Sequence, residues 1–121
     1  MQIAAVTIPV RDQSAAAAFY SDVLGFRRAA SGTIHGDRQY ILMQPPGGIT
    51  GVSLMAESAQ MPAGSAQGTI LQTLDVDNEC AKLARKGLTI STITDAEWAR
   101  FATFTDLDGN GWLIAEARRS T

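Results

Sequence analysis

Residues 100–116 read Arg100-Phe101-Ala102-Thr103-Phe104-Thr105-Asp106-Leu107-Asp108-Gly109-Asn110-Gly111-Trp112-Leu113-Ile114-Ala115-Glu116. Two runs rich in aromatic and β-branched residues flank an Asp-Gly-Asn turn, which is the pattern of a hairpin. A looser copy stands earlier: Tyr40-Ile41-Leu42-Met43, then Gln44-Pro45-Pro46-Gly47-Gly48, then Val52-Ser53-Leu54-Met55-Ala56-Glu57. A hairpin that recurs points to a duplicated unit, and the segments around each copy agree.

Residues 3–10 alternate and are β-branched, as a strand requires, with Pro9 near the strand exit. Asp12 or Ser14 then caps a helix that runs through Ala15, Phe19 and Tyr20 and stops at Gly25. Residues 26–30 start a second strand, 32–37 form a turn that contains His35, and 38–44 and 49–57 complete the first copy. Residues 58–67 are small and polar, a flexible linker by composition. The order then repeats. A strand at 69–74 leads to a helix capped by Asp75 or Asp77 and stopped by Gly87, followed by strands at 88–93, 101–105 and 111–117. The cap-to-glycine separation is nearly the same in both copies. The expected class is α+β. A first module spans about residues 1–57, a linker 58–67 and a second module about 68–121.

The 121 residues include 45% hydrophobic and 18% charged side chains, ordinary for one folded domain. The formal net charge of -2 argues against nucleic acid, which selects a basic face. No apolar run reaches the ~20 residues of a membrane span. The start is cut short by Arg11 and Asp12, so neither a signal peptide nor an anchor is expected. Cys80 is the single cysteine; no internal disulfide can form, and a reducing, cytoplasmic setting is expected. Its helix offers the thiol no basic neighbour, so a buried inert thiol is expected rather than a nucleophile.

Two stretches carry a family resemblance. Ala18-Phe19-Tyr20-Ser21-Asp22-Val23-Leu24-Gly25-Phe26 resembles the FYxxxLGF signature of the vicinal-oxygen-chelate superfamily, which includes glyoxalase I, extradiol dioxygenases, and fosfomycin- and bleomycin-resistance proteins. Residues 102–110 resemble its ATFxDPDGN run, with Leu107 in place of proline. The likeness spans residues 3–116. It implies two βαβββ modules curling into a half-open barrel around a cavity. It also implies a divalent ion held by His or Glu from the first and fourth strands of each module. Those positions fall on Ala5, Leu54, Gly68 and Leu113, with a one-residue slip open for Leu54. None offers the imidazole or carboxylate such ions need, and the chain has one histidine in total. No cofactor and no metal are therefore expected, and the hollow becomes more apolar.

Candidate ligand contacts follow. Arg38, Tyr40 and Leu42 share one strand face at period two. Trp98 can stack on a planar ligand at the cavity mouth or pack as core. Arg100 can fork an anionic group or serve a surface ion pair. Leu54 and Phe104 complete the set, although Phe104, like Trp112, fits a core role. His35 reads either as a solvated loop histidine or as a mouth proton donor. Glu57 and Glu116 end their strands at matching positions, which suits strand-end solvation better than acid–base work. Arg118-Arg119 reads as a solvated end.

The expected function is metal-free sequestration of an apolar or aromatic small molecule, as drug-resistance members of the resembled superfamily do. The chain is expected not to be an enzyme. The alternative is a metal-dependent lyase, isomerase or dioxygenase with relocated ligands such as His35 with Glu57 or Glu116. A third reading is a module that only holds a protein partner. Open sheet edges favour a homodimer; whether the halves pair within one chain or swap between two stays open.

Overall fold

Two short helices are placed by the same device. Asp12 has extended backbone and its carboxylate accepts from Ala15 N at 3.0 Å, starting α1 (Gln13–Asp22) after strand β1 (Ala5–Val10). Asp75 does the same for Asn78 N, also at 3.0 Å, starting α2 (Val76–Arg85) after β5 (Thr69–Gln72). Each cap satisfies a backbone donor that a helix start leaves open. Helix α1 buries Ala16, Ala17 and Tyr20, and α2 buries Val76, Cys80 and Leu83 at i, i+4 and i+7. Acidic Asp77 and Glu79 in the first turn of α2, with Lys82 and Arg85 in its last, match its macrodipole.

The structure, a computed structural model, describes residues Met1 to Ala117; Arg118 and Arg119 lie outside the described residues. In the first module β2 (Arg27–His35), β3 (Arg38–Gln44) and β4 (Gly51–Ala56) join β1 in the order β1-β4-β3-β2, with β1 parallel to β4. In the second, β6 (Thr94–Asp95), β7 (Ala99–Thr105) and β8 (Gly111–Ala117) join β5 in the order β5-β8-β7-β6, with β5 parallel to β8. The class is α+β, two βαβββ modules.

Two expectations are corrected. Strand β2 runs through Gly32 to His35 and pairs with β3, so the turn shrinks to Gly36 and Asp37. Residues 88–93 form no strand. Ser91 and Thr103 exchange two bonds there, Ser91 N to Thr103 O at 3.0 Å and Thr103 N to Ser91 Oγ at 2.9 Å, and a ladder forms only at Thr94–Asp95.

The chain divides into two compact units. The first comprises Met1–Ala66 together with the turn Asp106–Asn110, and the second comprises the remainder. Within the first unit a carboxylate is buried. Asp106 Oδ2 accepts from Tyr20 Oη at 2.6 Å and from Asn110 Nδ2 at 2.9 Å; Oδ1 accepts from Asp108 N at 2.9 Å and Asn110 N at 3.0 Å. Asn110 Nδ2 also donates to Pro9 O at 2.9 Å, and Asn110 Oδ1 accepts from Ala66 N at 3.1 Å. Arg11 reaches Asp108 Oδ1 through its backbone N and its guanidinium. The two signature stretches therefore meet at a structural hydrogen-bond cluster.

Residues 58–66 are bonded chain rather than loose linker. Glu57 Oε1 accepts from Ala63 N at 3.1 Å, Ser58 N donates to Met61 O at 3.0 Å, and Ser65 N donates to Pro62 O at 3.0 Å. Gly64 has φ +85°, and a Cβ there would collide with the Asp108 backbone oxygen.

Tyr20→Phe removes one bond to a charged acceptor and lowers unfolding free energy by about 1.5–3 kcal/mol, read from urea denaturation. Gly64→Ala, strained in φ and in space, costs more than about 1 kcal/mol in the same assay.

Candidate functional site

Each face of the first sheet has its own chemistry. Ile8, Val10, Ile41, Met43, Val52 and Leu54 are buried on the side that α1 covers. The pairings Thr7↔Ser53, Pro9↔Met55 and Leu42↔Ser53 put Thr7, Pro9, Ser53 and Met55 on the opposite side, together with Arg38, Tyr40 and Leu42. On that side lies a cavity of about 290 Å³, walled by Pro9, Ile34, Met55 and Met61 and carrying Arg38 as its only charged residue.

Strands β3 and β4 share only a short ladder. Their paired register covers only Leu42↔Ser53 and Met43↔Val52. Beyond it Gln13 of α1 bridges the gap: Nε2 donates to Gln39 O at 2.6 Å and to Leu54 O at 2.8 Å, and Oε1 accepts from Gln39 N at 3.2 Å. Further along, Arg38 Nη2 donates to Ala56 O at 2.8 Å and, at 3.4 Å, to Glu57 O. These side chains satisfy groups a continuous ladder would have paired. A register shift in β2 between Thr33 and His35 accompanies the placement of Ile34 on the cavity wall.

Of the expected contacts, Arg38 lines the cavity, and Tyr40 and Leu42 share its strand face. Tyr40 is 37% exposed. His35 sits at the end of β2, paired with Arg38 and exposed. Leu54 is a correction: it is fully buried on the α1 side, because strand alternation turns it away from Ser53 and Met55. Three further residues belong to the second unit. Phe104 stacks on Trp112, centroids 6.1 Å apart, in the layer under α2. Arg100 faces α2, where Nη1 binds Asp77 Oδ2 at 2.7 Å and Nη2 binds Oδ1 at 3.4 Å. Both side chains are thus engaged within the second unit. Trp98 is 57% exposed and stacks on Phe101 at 5.2 Å. Thr7, Pro9, Met55, Met61 and Gln13 were not anticipated. The period-two face of Arg38–Tyr40–Leu42, carried across to β4, was the available signal for Met55.

The four implied metal positions need one adjustment. Val6 pairs with Val52, Thr69 pairs with Trp112, and Val6 precedes its cap Asp12 as Thr69 precedes Asp75. Ser53, not Leu54, is therefore the counterpart of Leu113. The set becomes Ala5, Ser53, Gly68 and Leu113, and it does not fit a divalent catalytic ion, which takes imidazole, carboxylate or thiolate donors. Among the described residues no group of three His, Cys, Asp or Glu is placed to hold a metal. The same equivalence matches Glu116 to Ala56, so Glu57 and Glu116 do not occupy corresponding positions. Both carboxylates serve backbone, Glu116 Oε1 accepting from Val76 N at 3.0 Å.

The electrostatics of the second unit are structural too. The hydrogen bond from Arg100 holds the Asp77 carboxyl below the usual carboxylate range and raises the Arg100 guanidinium. Burial, then the charges of Asp77 and Glu79, pushes the Cys80 thiol up, which disfavours the nucleophilic thiolate.

Residues 2–114 match the family model described as Glyoxalase/Bleomycin resistance protein/Dioxygenase superfamily. Two solved structures from Streptomyces sp. CB03234 are similar. TnmS3, described as an antibiotic binding protein, is 32% identical with a TM-score of 0.90, over 98% of this chain and 97% of that one. A glyoxalase/bleomycin resistance protein is 34% identical with a TM-score of 0.84, over 94% and 99%. YetH of Bacillus subtilis (strain 168), an uncharacterized protein, is 27% identical over 95% of this chain and 98% of its own length. The chain belongs to this superfamily.

Leu54→Ala lowers unfolding free energy by about 2–5 kcal/mol and Phe104→Ala by about 3–5 kcal/mol, in contrast to the small effect of a ligand-facing side chain. The Asp77–Arg100 contact adds stability above the unfolded carboxyl pKa and loses it as pH falls through the lower folded value. In acid titrations followed by circular dichroism, Asp77→Asn therefore removes an acid-side decline while leaving alkaline behaviour unchanged.

Proposed function

We propose that this superfamily member is a metal-free binding protein that sequesters an apolar or aromatic small molecule against the first sheet. The observation that carries this reading is the face of β1, β3 and β4 turned away from α1. It pairs a cavity of about 290 Å³, near the lower bound of typical ligand pockets, with the loss of donor groups at the implied metal positions. Methionines at 55 and 61 give that wall a polarizable lining suited to flat aromatic surfaces. Tyr40, on the same face, adds a ring that can extend the contact.

The likeness to an antibiotic binding protein at 32% identity supports the ligand class. Sequestration needs no catalytic step; it lowers the free concentration of a toxic compound by mass action, and in a producing or exposed cell that amounts to resistance. A cytoplasmic homodimer, with sheet edges paired between copies, completes the reading.

Calorimetric titration against a panel of planar aromatic antibiotics is expected to give saturable binding. Tyr40→Ala is expected to weaken it up to about tenfold, the worth of one aromatic contact. Absence of binding across the panel by folded protein, or a stoichiometric divalent ion in protein purified without chelators, overturns the proposal. Size-exclusion with light scattering tests the dimer.

A further inference from the structure

The cavity contains one formal charge. Among the described residues, no carboxylate lies within ion-pairing distance of Arg38; the pairs present are Arg11–Asp108, Lys82–Glu79 and Arg100–Asp77. Glu57, the nearest acid along β4, spends its side chain on Ala63 N. Arg38 is held instead by two neutral carbonyls, Ala56 O and Glu57 O, and both bonds use Nη2. A guanidinium carries five N–H donors in a planar fork. Nε–H and Nη1 are engaged by no protein group among the described residues, so an anion can take charge-assisted bonds from them. The carbonyls fix the plane of the guanidinium, so a ligand need not pay to order it. The rest of the wall is Pro9, Ile34, Met55 and Met61, with Thr7 and Ser58 as neutral polar groups.

From this we infer that the ligand is an apolar anion: a flat hydrophobic body that lies on the methionine wall and bears a carboxylate, or an equally acidic oxygen, paired with the free donors of Arg38. The inference rests on the binding reading above and narrows it. A cationic ligand would meet an unneutralised like charge with no carboxylate to offset it. A neutral one would make no use of the charge on the guanidinium, which would stay paired with water. The low polarity of the wall strengthens an anion–guanidinium pair relative to one in open water.

Paired isosteres test it. Wild-type protein is titrated calorimetrically at neutral pH with 2-naphthoate and with 2-naphthamide, which share the aromatic body and differ in charge. The acid is expected to bind about three- to tenfold more tightly, as a charge-assisted hydrogen bond to a solvent-exposed guanidinium should. In Arg38→Met the two are expected to bind within about twofold of each other, with amide affinity kept. Arg38→Lys, which retains the charge but not a guanidinium held in place by two carbonyls, is expected to fall between. Circular dichroism melting of each variant shows that the fold is kept, and Arg38→Lys carries the test if Arg38→Met does not fold. Equal binding of acid and amide by wild type, or a preference that survives in the variants, overturns the inference and leaves the sequestration reading intact. Failure of both probes to bind wild type overturns the inference; failure of the antibiotic panel as well overturns both.

Discussion

The buried carboxylate of Asp106 is the constraint on which the first unit depends. An ionised carboxylate removed from water is expensive unless its lone pairs are filled. Here four donors do so: the Tyr20 hydroxyl, the Asn110 amide and two backbone N–H groups. Each donor fixes something. The two backbone donors shape the turn, and Gly109 takes the positive φ it needs, +91°. The Tyr20 hydroxyl sets the rotation of α1. Asn110, itself wholly buried, passes the constraint on to Pro9 in β1 and to Ala66. The residues that carry the resemblance are thus architectural, in a chain whose implied metal positions carry no imidazole or carboxylate. Leu107, where proline is usual, is exposed at 61% and takes no part in the cluster.

With α1 so placed, one side of the first sheet is filled and the other is left to chemistry. Gln13 completes the division. Its amide occupies the place where β3 and β4 separate, so the two strands diverge without leaving buried polar groups bare; among the described residues no buried side-chain nitrogen or oxygen lacks a partner. Residues 58–61 supply one wall of the cavity through the Ser58–Met61 turn. A segment with the composition of a linker thereby becomes part of a binding surface, because its backbone donors find acceptors in Glu57, Pro62 and Asn110.

Much of this was legible in the residues. Aspartate caps, glycine stops and the Asp-Gly-Asn turn are local signals, and local energetics placed both helices and the last hairpin. The expected strand at 88–93 forms no ladder because its contact with β7 is the Ser91–Thr103 pair, in which a side-chain hydroxyl takes one of the two bonds. Strand β2 was cut short because Gly32 and His35 read as turn residues, whereas β3 offers them partners throughout. Face was harder than element. Alternation says that Arg38, Tyr40 and Leu42 share a side but not which side α1 takes, and a one-residue uncertainty at Leu54 inverted its role. Phe104 and Arg100 share a face as the period requires, but it is the face under α2. The break in the β3–β4 ladder is filled by one glutamine side chain that no periodicity reports.

The two strand arginines show why residue type alone does not identify a site. Arg38 and Arg100 each sit near the start of the third long strand segment of a module, and each carries the same fork of donors. Arg100 turns toward α2 and meets Asp77, which takes both Nη1 and Nη2 and cancels its charge. The pair, half in solvent, is worth little beyond steadying the helix. Arg38 turns away from α1 and meets only the carbonyl dipoles of Ala56 and Glu57, which orient it without neutralising it. One guanidinium is spent within the fold, and the other is aimed, charged and unpaired, into an apolar hollow. That difference follows from which face of its sheet a helix covers, and it separates a structural arginine from one available for recognition.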